Sequence, residues 1–257
     1  MANGFIQSWL KAETPAGAPT NLIVLTERPK QRSIVEKSVQ EAVVDHLVGA
    51  EIIEAIGGFT KAASVVRNAL PGSKRARSGD FGEILATEYV DQATVYDVPV
   101  RRLRFKDDRA MAMRGDDVLG FEFGTAPLNV LKTESKSRVS LSSQTAKQAC
   151  AGLCRHQGRP NPSTLSFISR RLREMGKHDL AEAVEQLQES DIPLSTVSHL
   201  IFTLSSNSPV TALSSVSTSP IHGITRHVVG CVITDHAAFI QKIFDGLVQG
   251  PASDGNR

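Results

Sequence analysis

Asp116-Asp117 and, further on, Glu134-Ser135-Lys136 are the residues here whose types and spacing could do chemistry. On an extended strand, side chains two apart share a face, so Glu134 and Lys136 project together while Ser135 points away. The apolar run after the aspartates, Val118, Leu119, Phe121 and Phe123, reads as a neighbouring strand. With an aspartate at its start, two carboxylates and an ammonium meet at one spot. Carboxylate and carbonyl oxygens are the hard ligands that Mg²⁺ or Mn²⁺ takes. A cation held there polarises a phosphoryl oxygen and lowers the pKa of a bound water, and Lys136 is left to orient the nucleophile. That is equipment for cutting a phosphodiester. A regular strand presents only one of two adjacent aspartates. Asp117, which directly precedes the apolar run, is the choice; a turn there would admit Asp116 instead.

The flanking elements must position these groups. Gly79-Asp80-Phe81-Gly82-Glu83 reads as a helix start with Asp80 as the cap. Glu83 has two readings: the third-position glutamate of a capping box, or a carboxylate turned toward the cation. Residues 93–106 alternate loosely, with Val95, Val98, Val100, Leu103 and Phe105 against basic residues, and predict a strand with one open face. A turn around Gly124 to Pro127 and a second run, Leu128 to Leu131, lead into Glu134 and complete an antiparallel meander. Helical spacing follows over 142–156.

An acidic helix, an Asp, a Glu-x-Lys and a further helix, in that order, resemble the PD-(D/E)xK nuclease superfamily. More narrowly, Gly-Asp-Phe-Gly-Glu, Arg-Gly-Asp-Asp-Val-Leu-Gly-Phe and Glu-Ser-Lys resemble the HamA family, nucleases of the Hachiman antiphage defence system. The resemblance spans most of the chain and is most informative between Gly79 and Gln148. It implies an α/β (α+β) fold with a restriction-endonuclease-like core, a mixed sheet flanked by helices, and a largely helical N-terminal part. It implies a metal-dependent DNA endonuclease of little sequence specificity, with Glu83, Asp117, Glu134 and Lys136 catalytic. Glu83 and the carbonyl of Ser135 would join Asp117 and Glu134 on one or two Mg²⁺ ions. Gln144, on the following helix, is a candidate to point back at the site, or else a solvated residue. The implied partners are DNA and a helicase subunit, HamB. The alternative is a module of the same fold that binds DNA ends or a partner without cutting.

Elsewhere the chain carries little chemistry. Residues 20–26 predict a strand, 34–70 helices broken at Gly57-Gly58, 163–176 and 178–189 two helices, 197–204 and 226–234 strands, and 236–247 a last helix. The Ser/Thr-rich 205–219 reads as a loop and the tail 251–257 as disordered. One domain is expected, with 1–78 a mostly helical N-terminal part and 79–250 the core. Four basic clusters stand out: Arg28–Arg32; Lys74, Arg75 and Arg77; Arg101, Arg102 and Arg104; and Arg170 to Lys177. Each alone suits a solvated face. Beside a phosphodiester site they suggest a phosphate track, with Lys74, Arg75, Arg77, Arg101, Arg102 and Arg104 as the DNA-contacting set.

The net charge of +2 over 257 residues announces no nucleic-acid binding by itself. Three cysteines give no disulfide framework, and Cys150 and Cys154 read as buried structural residues. There is no Walker A loop, so nucleotide-driven work would fall to a partner. The N-terminus lacks a secretion signal and no apolar run reaches membrane length, so a cytoplasmic protein with no membrane contact is expected.

Overall fold

The computed structural model describes residues 4–109, 113–189, 191–217, 221 and 223–249. Six strands form one mixed sheet: β1 (Leu10–Glu13), β2 (Leu22–Glu27), β3 (Val118–Glu122), β4 (Asn129–Ser137), β5 (Val197–Ser205) and β6 (Thr225–Val232). Their spatial order is β1-β2-β6-β5-β4-β3. The four central strands run parallel, and the outer pairs β1–β2 and β3–β4 are antiparallel. β5 is buried along nearly its whole length, as a central parallel strand covered on both faces must be.

One face is covered by α1 (Phe5–Trp9), α2 (Arg32–Leu47), α4 (Phe59–Ala69), α5 (Lys74–Ala93) and α10 (His236–Gln249). They share a core with Leu25, Leu131, Phe202, Leu204 and Val229 from the sheet. α3 (Ala50–Ile56) buries none of its residues. α6 (Ser143–Leu153) and α9 (Val210–Ser217) cover the other face over Leu22, Ile201 and Val228. α7 (Pro162–Glu174) and α8 (His178–Glu189) close the β3–β4 end around Phe121 and Val130. No helix among the described residues is long and apolar enough to cross a membrane.

Several expectations need correcting. α5 starts at Lys74, not at Asp80, because Ser73 accepts a hydrogen bond from the Ala76 N–H at 3.1 Å and supplies the cap. Asp80 and Glu83 therefore lie inside the helix, and Glu83 is no capping-box residue. Residues 93–106 form no strand. α5 runs on to Ala93, and one bridge, Asp97 to Phe121, touches the edge of β3. Pro99 has no N–H to extend a ladder, and Arg102–Phe105 make a 3₁₀ turn. The Ser-rich 205–219 contains α9. Its hydroxyls bond back to backbone carbonyls, Ser214 to Val210 and Ser217 to Leu213, while Ala212, Leu213 and Val216 face the sheet. β1, unforeseen, pairs with β2 as an edge strand. Cys150 and Cys154, expected to be buried, are half-buried and exposed, and the buried cysteine is Cys231. The expected disordered tail, 251–257, lies outside the described residues.

Candidate active site

The site lies where β3 begins and β4 ends, between the two helical layers. Strand alternation turns Glu134 and Lys136 to one face and Ser135 to the other, where α5 lies. That helix packs so tightly that a Cβ on Gly82 would sit 2.9 Å from Ser137 Cβ and 3.2 Å from Ser135 Oγ. On the opposite face Gly152 of α6 lies against the Glu134 carboxylate, with 2.5 Å from an added Cβ to Glu134 Oε2. Lys136 Nζ donates to Glu134 Oε1 at 2.5 Å and to the Ser135 carbonyl at 3.1 Å.

Asp117 meets this pair from the neighbouring strand: its Oδ2 accepts the Ser135 N–H at 2.8 Å. Burial raises its carboxyl to a pKa of about 6; the Glu134 charge adds to the rise, and Lys136, the Ser135 N–H and Arg102 pull against it. Glu83, half-buried on α5, is raised well above the usual carboxylate range, first by burial and then by the charges of Asp117 and Asp80. Asp117 thus feels the charges of Glu134 and Lys136, and Glu83 feels that of Asp117.

Asp116 goes elsewhere. Its carboxylate is 3.4 Å from the ammonium of Lys132 and accepts the Asn161 N–H at 2.7 Å. Arg102 donates to the carbonyls of Arg114 at 2.7 Å and Asp117 at 3.3 Å, which fixes the turn before β3. Gly115 in that turn has φ 103°, a backbone shape glycine adopts without strain. Gln144 is exposed, and the α6 residue that reaches Glu134 is Gly152, two turns further on.

The six cations proposed to meet DNA divide. Lys74 and Arg75 are exposed on the first turn of α5. Arg77 bonds to Asp245 at 3.0 Å and lies over the Phe244 ring. Arg101 pairs with Asp91 and Glu88, and Arg104 with Asp45 and Glu51. Arg102 is buried. Arg101 and Arg104 have carboxylate partners contributed by α2, α3 and α5, and Arg102 the carbonyls of the turn before β3, which no local pattern announces.

Sequence reasoning also missed Lys106, whose ammonium bonds to buried Asp80, and it missed Gly152 and Lys132. The signal for Lys132 was present: it continues the every-second-residue series into Glu134 and Lys136, on a strand otherwise apolar at that end.

Among the described residues no three His, Cys, Asp or Glu side chains are grouped closely enough to form a metal cage by themselves. Mg²⁺ needs no such cage; it is commonly held by one or two carboxylates and keeps several waters. Asp117 and Glu134, hard oxygen donors whose mutual repulsion a cation would relieve, fit that requirement.

The HamA family model matches residues 4–247. The Hachiman protein HamA of Bacillus cereus is 30% identical over 177 residues, covering 68% of this chain and 62% of that protein. The matched region thus spans less than two thirds of that relative's length. With a match over nearly all of its residues, the chain belongs to the HamA family.

Proposed function

We propose that this protein is a metal-dependent, largely sequence-nonspecific DNA endonuclease on a PD-(D/E)xK core. It acts in antiphage defence as the effector beside a helicase partner, HamB. The observation that carries the reading is the meeting of Asp117, Glu134 and Lys136 on adjacent strands, with a raised Asp117 carboxyl in their midst.

Asp117 and Glu134 would hold Mg²⁺ or Mn²⁺, with the Ser135 carbonyl as a further oxygen donor and Glu83 as an added charge beside Asp117. When bound, the cation supplies Lewis acidity at the phosphoryl oxygen and a bound water of lowered pKa. Lys136, about a fifth exposed, holds its ammonium beside Glu134 and is placed to orient the attacking water. Gly152 leaves room for the Glu134 carboxylate, and the Ser135 N–H fixes one Asp117 oxygen. Arg138, exposed just past Lys136, and Lys74 and Arg75 offer charge to the phosphate backbone. Affinity set by such contacts falls as salt rises and reads no base sequence.

The test is plasmid degradation by the chain, alone and with its helicase partner, with and without Mg²⁺. Wild type is expected to cut only with the cation, and Glu134→Ala and Lys136→Ala to lose cutting while still binding DNA. A Glu134→Ala protein that degrades DNA at the wild-type rate sinks the proposal. A second reading, a non-catalytic binder of DNA ends, is favoured by the Lys136 ammonium lying paired with Glu134. That reading requires wild type itself to bind without cutting.

A further inference from the structure

Lys132 is about the least expected residue in β4. The residue is 1% exposed, between Leu119 of β3 and His199 of β5 in the sheet register. A buried ammonium must have its donors met. Here they go to the carbonyls of Arg155 at 3.0 Å and Arg159 at 2.9 Å, with the Asp116 carboxylate at 3.4 Å. The turn that supplies these carbonyls follows α6 and is bent to do so. His156 and Gln157 are successive non-glycine residues at φ 55° and 56°, a left-handed shape costly to ordinary side chains. The Gly158 carbonyl is also turned inward, and it accepts from His199 Nε2 at 2.8 Å.

Three segments thus close on one nitrogen. The first is β4 itself, which carries Glu134 two residues on, facing the same side as Lys132. The second is the turn after α6, whose Gly152 lies against Glu134. The third is the 114–117 turn. There Asp116 is held by Lys132 and by the Asn161 N–H, and its own N–H donates to buried Thr164 Oγ1 at 3.1 Å. Asp117 is the next residue. With Asp116 fixed on one side and the Ser135 N–H on the other, the Asp117 carboxylate has little freedom.

We infer that Lys132 is a positioning residue: its ammonium ties the Asp116 turn and the turn after α6 to β4, and so sets the spacing of Asp117 and Glu134. Its catalytic consequence rests on the proposed nuclease reading; its geometric consequence does not. The charge is what the role requires, because an apolar side chain of equal length would fill the space and leave Asp116 and two carbonyls without their partner.

The experiment compares full-length wild type with Lys132→Met and Asp116→Asn by hydrogen–deuterium exchange, with Mg²⁺-dependent cleavage measured alongside. In both variants exchange over 114–119 and 133–137 is expected to rise about tenfold or more, with 200–204 and 228–231 keeping wild-type rates. With wild type active, kcat is expected to fall about 10- to 100-fold, with KM for DNA held within about twofold. Unchanged exchange over 114–119 and 133–137 in both variants overturns the inference, as does acceleration of all segments together. Should Lys132→Met fail to fold, Asp116→Asn carries the test, since it keeps the volume and an acceptor for the Asn161 N–H. A wild type that never cleaves defeats the nuclease reading, and exchange still decides the role of Lys132.

Discussion

Asp117 has a carboxyl that the fold discourages from ionising, with a pKa of about 6 against an ordinary 3.8. Between those values the native state binds a proton that the unfolded chain has lost. Stability from this group is therefore greatest at low pH and declines as pH rises from about 4 to 6, by about 3 kcal/mol in all. A cation beside Glu134 and Asp117 would reverse that loss. Asp117→Asn without metal should melt several degrees above wild type at pH 8 and match it near pH 4. Mg²⁺ should raise the melting temperature of wild type at pH 8 but not that of the variant. A thermal scan that finds wild type and variant responding equally to Mg²⁺ removes Asp117 from the ligand set.

At the scale of elements, the site is a matter of how closely two helices approach one strand. α5 comes near enough to β4 that Gly82 has no room for a Cβ, and α6 near enough that Gly152 has none. The obstacles differ in kind. Gly82 faces the Cβ of Ser137, which is tied to the backbone, whereas Gly152 faces the far end of the Glu134 side chain, which can swing away. Gly152→Ala should therefore fold, helped by up to ~1 kcal/mol of helix propensity. It should cut DNA about 100-fold more slowly, because the carboxylate must move to make room. Melting temperature and cleavage rate are measured together. Wild-type cleavage in a folded Gly152→Ala protein would mean the Glu134 carboxylate needs no fixed place.

For the molecule as a whole, the central parallel strands bring polar groups into the interior that must be satisfied there. His199, fully buried on β5, is the clearest. Burial, with the Arg226 and Lys132 charges behind it, lowers its pKa to about 4. The unfolded chain takes up a proton near pH 6.5 that the native state refuses until about 4. Stability is thus full above 6.5 and falls as pH drops through that window, by about 3 kcal/mol. Asp117 works in the opposite sense from 4 to 6, so the test is a difference. Urea unfolding of His199→Gln, which keeps an N–H for the Gly158 carbonyl, should lose less stability than wild type between pH 6.5 and 4. Parallel curves for the two proteins would place the acid sensitivity elsewhere.

How much of this was legible follows from the range of the forces. Glu134 and Lys136 side by side, the apolar runs of β5 and β6, and the helices over 163–189 rest on backbone periodicity, a property of neighbouring residues, and the sequence alone determined them. The α5 start was misplaced by two turns because Ser73 and Asp80 both offer caps, and burial of Asp80 against Lys106 selected the first. Only the tertiary structure could decide between Asp116 and Asp117, since Lys132 and Asn161, which claim the former, belong to other elements. The same holds for Arg101, Arg102 and Arg104: a cluster of cations reads alike in sequence whether it faces solvent, carboxylates brought from α2, α3 and α5, or the carbonyls of the turn before β3. Periodicity is written in the chain, whereas the partner of a charge is fixed by whichever distant groups the core packs beside it.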